Sequence, residues 1–151
     1  FSPLINKRTD AYNGYTLEGR TRIHMELIKG IRQVIGDKSL FALRLGGCDY
    51  TVGGTTIEDA VWACRRFEEA GVDLLDISGG TCCYARKGHN YPGYFGDISE
   101  AVKKEVHIPV LLTGGVRTVQ DAEILLKEEK ADMIGVGRII TAKPDWGMEL
   151  I

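Results

Sequence analysis

Apolar and polar positions along the chain follow two rhythms. Between Leu17 and Ile35 the apolar residues Ile23, Leu27, Ile31 and Val34 recur at helical spacing, and Gly36 follows where a left-handed cap would end a helix. Leu40 to Leu45 is a short apolar run broken only by Arg44 and closed by Gly46-Gly47, which predicts a strand buried on both faces. A cation inside such a strand demands an anionic partner. Thr56 with Asp59 has the form of a capping box, and Ile57, Ala60, Val61, Cys64 and Phe67 mark one face of a second helix ending at Gly71. A strand at 73–78 follows at once.

The stretch from Gly79 to Gly96, rich in glycine, cysteine and tyrosine, has neither period and is longer than most connections, so it reads as a functional loop, a lid by composition. A short helix then starts at Asp97 and runs to Glu105, and Pro109 precedes a buried strand at 110–113 that ends in Gly114-Gly115. Thr118 and Asp121 cap a further helix with Val119, Ala122, Leu125 and Leu126 inward, and a last strand at 133–137 leads into Arg138 and a short apolar segment. The segments 71–80 and 130–138 both run from an acidic helix end through Asp into an apolar strand with a glycine exit, a faint repeat of the kind stacked βα units produce. Four strands alternating with helices, without a linker, argue for an α/β protein with a parallel sheet.

Composition narrows the partners more than the fold. The 151 residues are 44% hydrophobic and 26% charged, a balance that suits one globular domain. A formal net charge of −2 offers no basic stripe for nucleic acid or a membrane surface, so a small-molecule partner is the default. No apolar run approaches the roughly 18 residues of a transmembrane helix. Cys48, Cys64, Cys82 and Cys83 contain no CxxC pair and no metal spacing, so no metal site is expected and a reducing cytoplasm fits best. Adjacent Cys82 and Cys83 read either as a redox pair or, more commonly, as small apolar loop residues. The chain opens at Phe1-Ser2-Pro3, without Met, as though inside a longer protein.

Ligands of parallel α/β sheets bind at the carboxyl ends of the strands. Gly114-Gly115 and Gly137-Arg138 lie at the last two exits, where amides freed of side chains, an arginine fork and the apolar segment 139–142 as an extra helix would grip a phosphate. Tight turns and a solvated arginine are the plainer explanation. Arg44 reads either as half of a structural ion pair or as a cation aimed at a ligand with delocalised negative charge. His24 and His107 read as structural. His89, Tyr84, Tyr91 and Tyr94 either line a substrate mouth or pack the long loop on itself. Asp73 and Asp132 stand at strand starts, the wrong end for catalysis, and Asp49 and Asp76 have no identifiable partner.

The residues FSPLINKRTDAYNGYTLEGR at 1–20, ALRL around Arg44, AGVDLLDISGG at 70–80, IPVLLTGGVRT at 108–118 and ADMIGVGR at 131–138 resemble the flavin-dependent old yellow enzymes. The likeness spans essentially the whole chain; the loop after Asp10 departs by one extra residue, with Asn13 and Tyr15 where small residues are common. The resemblance implies residues 1–151 as the second, C-terminal half of an FMN-binding (βα)8 TIM barrel, a single partial domain. It further implies an NAD(P)H oxidoreductase of ene-reductase type, reduced by NADPH or NADH. Arg44 would lie beside flavin N1 and O2, and Gly114, Gly115, Gly137 and Arg138 would hold the phosphate. The substrate-binding donors and the proton donor are expected upstream of Phe1. A half-barrel exposes open edges and an apolar wall, so a preceding half-barrel or another copy of the chain is the expected partner, making a homo-oligomer the expected state. Two other readings stand beside this one: a sugar-phosphate isomerase or aldolase on a phosphate-binding barrel, and a catalytically inert assembly module.

Overall fold

The computed structural model describes residues 1–82 and 85–150. Helix α1 (Leu17–Ile35) leads into strand β1 (Ala42–Gly46), and α2 (Ile57–Glu69), β2 (Leu74–Ser78), α3 (Gly96–Lys103), β3 (Val110–Thr113), α4 (Val119–Lys127) and β4 (Met133–Gly135) follow in alternation. A short α5 (Arg138–Ala142) and a 3-10 turn, Trp146–Leu150, end the described chain. The strands form one parallel sheet in sequence order, each crossover being a helix, so the molecule is an α/β half-barrel of βα units.

Local chemistry fixes the boundaries. Thr56 and Thr118 each accept the amide of the third helical residue while Asp59 and Asp121 reach back to the capping amide, two complete capping boxes. The faint sequence repeat corresponds to a repeated clasp. Asp73 accepts the amide of Phe41 at 2.7 Å, and Asp132 accepts that of Val110 at 2.9 Å, so each strand-start carboxylate pins the neighbouring strand in register. Asp73 also pairs with Arg32 at 2.6 Å and Asp132 with Lys103 at 2.9 Å. These aspartates are architectural, as their position at strand starts predicts.

Alternation along the strands sends Leu45, Leu75, Ile77, Val110 and Leu112 against the helices, where Phe67, Cys64, Ile98 and Val102 complete the core. The opposite face differs from the expectation of strands buried on both sides. Ala42, Arg44 and Met133 are exposed there, because no second layer of the described chain covers that face.

Helix α1 departs from expectation more sharply. Its span and its Gly36 terminus, at φ +61°, match the pattern, but the stripe that defines it points outward: Leu27 is 57% and Val34 86% exposed, and Ile23 and Ile31 are exposed too. The face that packs carries Gly19, Arg20, Thr21 and Ile28, with Arg20 reaching Asp59 at the start of α2 at 3.0 Å. Periodicity identifies an apolar face but not which neighbour is present to cover it. Leu126 of α4, expected inward, is likewise exposed, and β4 stops at Gly135.

Candidate functional site

On the bare face, at the carboxyl ends of the strands, lies a cavity of about 720 Å³. Arg44, Gly114, Gly115, Gly137 and Arg138, singled out separately from the sequence, all line it, together with Asp76, Ser78, Thr113 and Tyr94. Its volume falls within the roughly 300–1,000 Å³ usual for cofactor pockets. A second hollow, about 600 Å³, lies between α2 and α3 and is lined by helix residues and those just after α3, with none from a strand exit.

Arg44 meets Asp76 at 3.2 Å, and Asp76 also accepts from the Thr113 hydroxyl at 2.8 Å. The pair follows from register, since Arg44 lies directly opposite Asp76 and each is the third residue of its strand. That shared offset was the available signal for the partner. Because the face is uncovered, the Arg44 side chain is 57% exposed and the penalty expected of a buried cation does not arise. One guanidinium edge is held by Asp76 while the side chain lines the cavity.

The glycines at the two exits differ. Gly114 has φ +153° and Gly115 φ +74°, backbone that side-chain-bearing residues rarely adopt, and a Cβ on either would collide with Phe95 or Tyr94. Turn and packing are by themselves enough to require glycine at both positions. Gly137 has an ordinary φ and no atom near where a Cβ would sit, so its open side belongs to the cavity. Next to it, Arg138 donates to the Tyr94 hydroxyl at 3.1 Å.

Tyr94 and Phe95, near the end of the long loop, both line the cavity. The loop is pinned at both ends: Gly80 donates to the Cys48 carbonyl at 2.8 Å and Thr81 to Asp49 at 2.7 Å, while Arg86 pairs with Asp97 at 2.9 Å and donates to the Tyr94 carbonyl at 3.2 Å. The Arg86 guanidinium also lies 3.8 Å from the Tyr50 ring centroid. Burial and its hydrogen bond to Asp97 push the Tyr50 phenol above its usual range, so it stays a donor. His89 and Tyr91 pair with each other at 2.9 Å on the loop surface and do not line the cavity. Tyr84 and Cys83 lie outside the described residues.

The remaining candidates have structural environments. His24 packs on Phe67, and burial lowers its pKa, favouring the neutral ring. His107 is exposed beside Glu68. Asp49 is buried and accepts hydrogen bonds from Ser2, Thr55 and Thr81. Cys48, Cys64 and Cys82 are free thiols, and burial raises the pKa of each, to about 12 for Cys64. Among the described residues no cluster of His, Cys, Asp and Glu could hold a metal ion, and no helix is long and apolar enough to cross a membrane.

A sheet of parallel βα units with a ligand-sized cavity at its carboxyl edge is the architecture of half a (βα)8 barrel, and comparison with known proteins places it further. The family model described as NADH:flavin oxidoreductase / NADH oxidase matches residues 1–150, and the chain belongs to that family. It is 37% identical over 148 residues to an NADPH dehydrogenase of Halalkalibacterium halodurans, covering 98% of this chain and 43% of that protein. It is 32% identical over 149 residues to an NADH oxidase of Thermoanaerobacter brockii, covering 96% of this chain and 23% of that one. A 2-naphthoyl-CoA reductase structure superposes with a TM-score of 0.86 at 28% identity, over 99% of this chain and 23% of that one. Histamine dehydrogenase from Rhizobium sp. 4-9, with a TM-score of 0.81 at 22% identity over 99% of this chain and 22% of its own, shares the fold. The chain thus spans less than half the length of these relatives.

Proposed function

We propose that this chain is the C-terminal half of an FMN-binding barrel and supplies the cofactor-phosphate grip and the flavin-facing arginine of an NAD(P)H oxidoreductase of ene-reductase type. The observation that carries the reading is the meeting of Arg44, Gly114, Gly115, Gly137 and Arg138 in one cavity at the strand exits of a chain in this family. The residues present fit the group. Gly137 leaves side-chain-free space, Arg138 offers a planar fork suited to phosphate oxygens, and Arg44 is held by Asp76 with its side chain in the cavity.

When bound, FMN would supply hydride-transfer chemistry between NADPH or NADH and an electron-poor alkene or similar acceptor. The protein's contribution here is electrostatic. Arg44 would offset negative charge on the reduced cofactor, and its bond to Asp76 orients it beforehand, so little reorganisation would be needed. Substrate donors and the proton donor belong to the preceding half-barrel. That half, or a second copy of this chain, closes the bare face. The free thiols of Cys48, Cys64 and Cys82, those among the described residues, suit a reducing cytoplasm.

Titrating FMN into the chain tests the reading. Saturable quenching of flavin fluorescence is expected, with Arg138→Ala weakening it by about 1.5–3 kcal/mol through loss of a charged hydrogen bond. Absence of binding would leave the inert-module reading. Binding unchanged by Arg138→Ala would put the phosphate elsewhere. The isomerase or aldolase reading shares only the anion grip, and family membership weighs against it.

A further inference from the structure

Tyr94 is only 5% exposed, yet its hydroxyl reaches the cavity and meets Arg138 at 3.1 Å. An arginine can only donate, so the phenol oxygen is the acceptor. The ring is placed by contacts independent of that bond. It packs across Gly114 and Gly115, where no side chain could be accommodated, and it meets Phe95 edge-on with centroids 4.7 Å apart. Its carbonyl is held by Arg86, which Asp97 and Tyr50 hold in turn. The glycine pair at the β3 exit therefore makes room for Tyr94, and Tyr94 joins the β3 exit to the β4 exit.

We propose that Tyr94 is a positioning residue of the phosphate site, holding the Arg138 guanidinium in the cavity for a phosphate monoester. The inference rests on the phosphate reading above. Arginine carries several rotatable bonds and loses affinity to the entropy of ordering them. A rigid, buried acceptor removes part of that loss before the ligand arrives. Tyr94 thus contributes to discrimination between a phosphorylated ligand and its dephosphorylated analogue rather than to general affinity.

The test measures dissociation constants of FMN and riboflavin for the chain, for Tyr94→Phe, for Arg138→Ala and for the double variant. The unaltered chain prefers FMN. Tyr94→Phe keeps the ring, so riboflavin binding should be unchanged while the preference for FMN falls roughly 3- to 10-fold, a part of what a hydrogen bond to a charged group is worth, because the phenol orders the arginine and does not itself hold the phosphate. In the Arg138→Ala background the same substitution should change neither constant, because it acts through that arginine. A full FMN preference in Tyr94→Phe, an equal loss for riboflavin, or an undiminished effect without Arg138 overturns the positioning role while leaving the phosphate reading intact. If the unaltered chain does not favour FMN over riboflavin, the phosphate reading itself has failed and this inference goes with it.

Discussion

Asp49 ties three segments together through one carboxylate. It accepts from the Ser2 hydroxyl at 2.6 Å, the Thr55 amide at 2.7 Å and the Thr81 amide at 2.7 Å, joining the start of the chain to the loops after β1 and β2. A Cβ on Gly54 or Gly80 would press into it, so those glycines belong to the same knot. Burial works to raise the pKa of Asp49, but the hydrogen bonds outweigh it and leave the group below its usual value. Asp49→Ala strands two amides, each costing about 1–3 kcal/mol when unsatisfied, so urea denaturation should show a loss of about 2–4 kcal/mol. A loss under about 0.5 kcal/mol would mean water replaces the carboxylate at no cost. Nothing in the sequence announced this role, since Asp49 lies in a short loop and its partners are 47, 6 and 32 residues away. Arg44 was legible because a charge in an apolar strand is anomalous on its face, whereas Tyr94 was one of several aromatics in an aperiodic loop and only tertiary contacts select it.

Helices and strands were more legible than single residues, for their signals are local. Capping boxes and glycine stops sit within a few residues of what they terminate, so α2 and α4 begin where Thr56 and Thr118 predict. What joins elements is less visible. Glu100 on α3 bonds Lys104 at 2.7 Å and Lys130, beyond α4, at 2.6 Å, and these two ammonium partners hold its pKa at about 2. The Ser99 hydroxyl donates to the Lys130 carbonyl at 2.7 Å in the same seam. Because the folded-state pKa lies below the unfolded value of 4.5, the stabilisation is complete above about 4.5 and is lost as pH falls through about 2. Glu100→Gln lacks that ionisation. Its deficit relative to the unaltered chain, measured by chemical denaturation, should be constant from pH 7 to 5 and should shrink steadily toward pH 2. A deficit independent of pH down to 2 would show that the seam depends on shape and not on charge.

At the scale of the whole molecule, the features that contradicted simple patterning share one geometric cause. The outward stripe of α1, the exposed inner residues of β1 and β4 and the two strand edges all border the region that four more βα units would fill in a closed barrel. Parallel sheets are ordinarily covered on both faces, and open edges invite pairing. The chain on its own should therefore self-associate, with the midpoint read from sedimentation velocity over a concentration series. Replacing Leu27 and Val34 by lysine tests which surface drives it. Both side chains are already exposed, 57% and 86%, so the substitutions should alter folding stability by no more than about 0.5 kcal/mol each. They nevertheless place two charges in the apolar stripe and should move association to markedly higher concentration. If the unaltered chain sediments as a monomer throughout, the half-barrel satisfies itself and needs no closing wall. If it associates but the lysine variant does so equally well, the sheet edges rather than α1 supply the contact, and edge pairing becomes the route by which the bare face is closed.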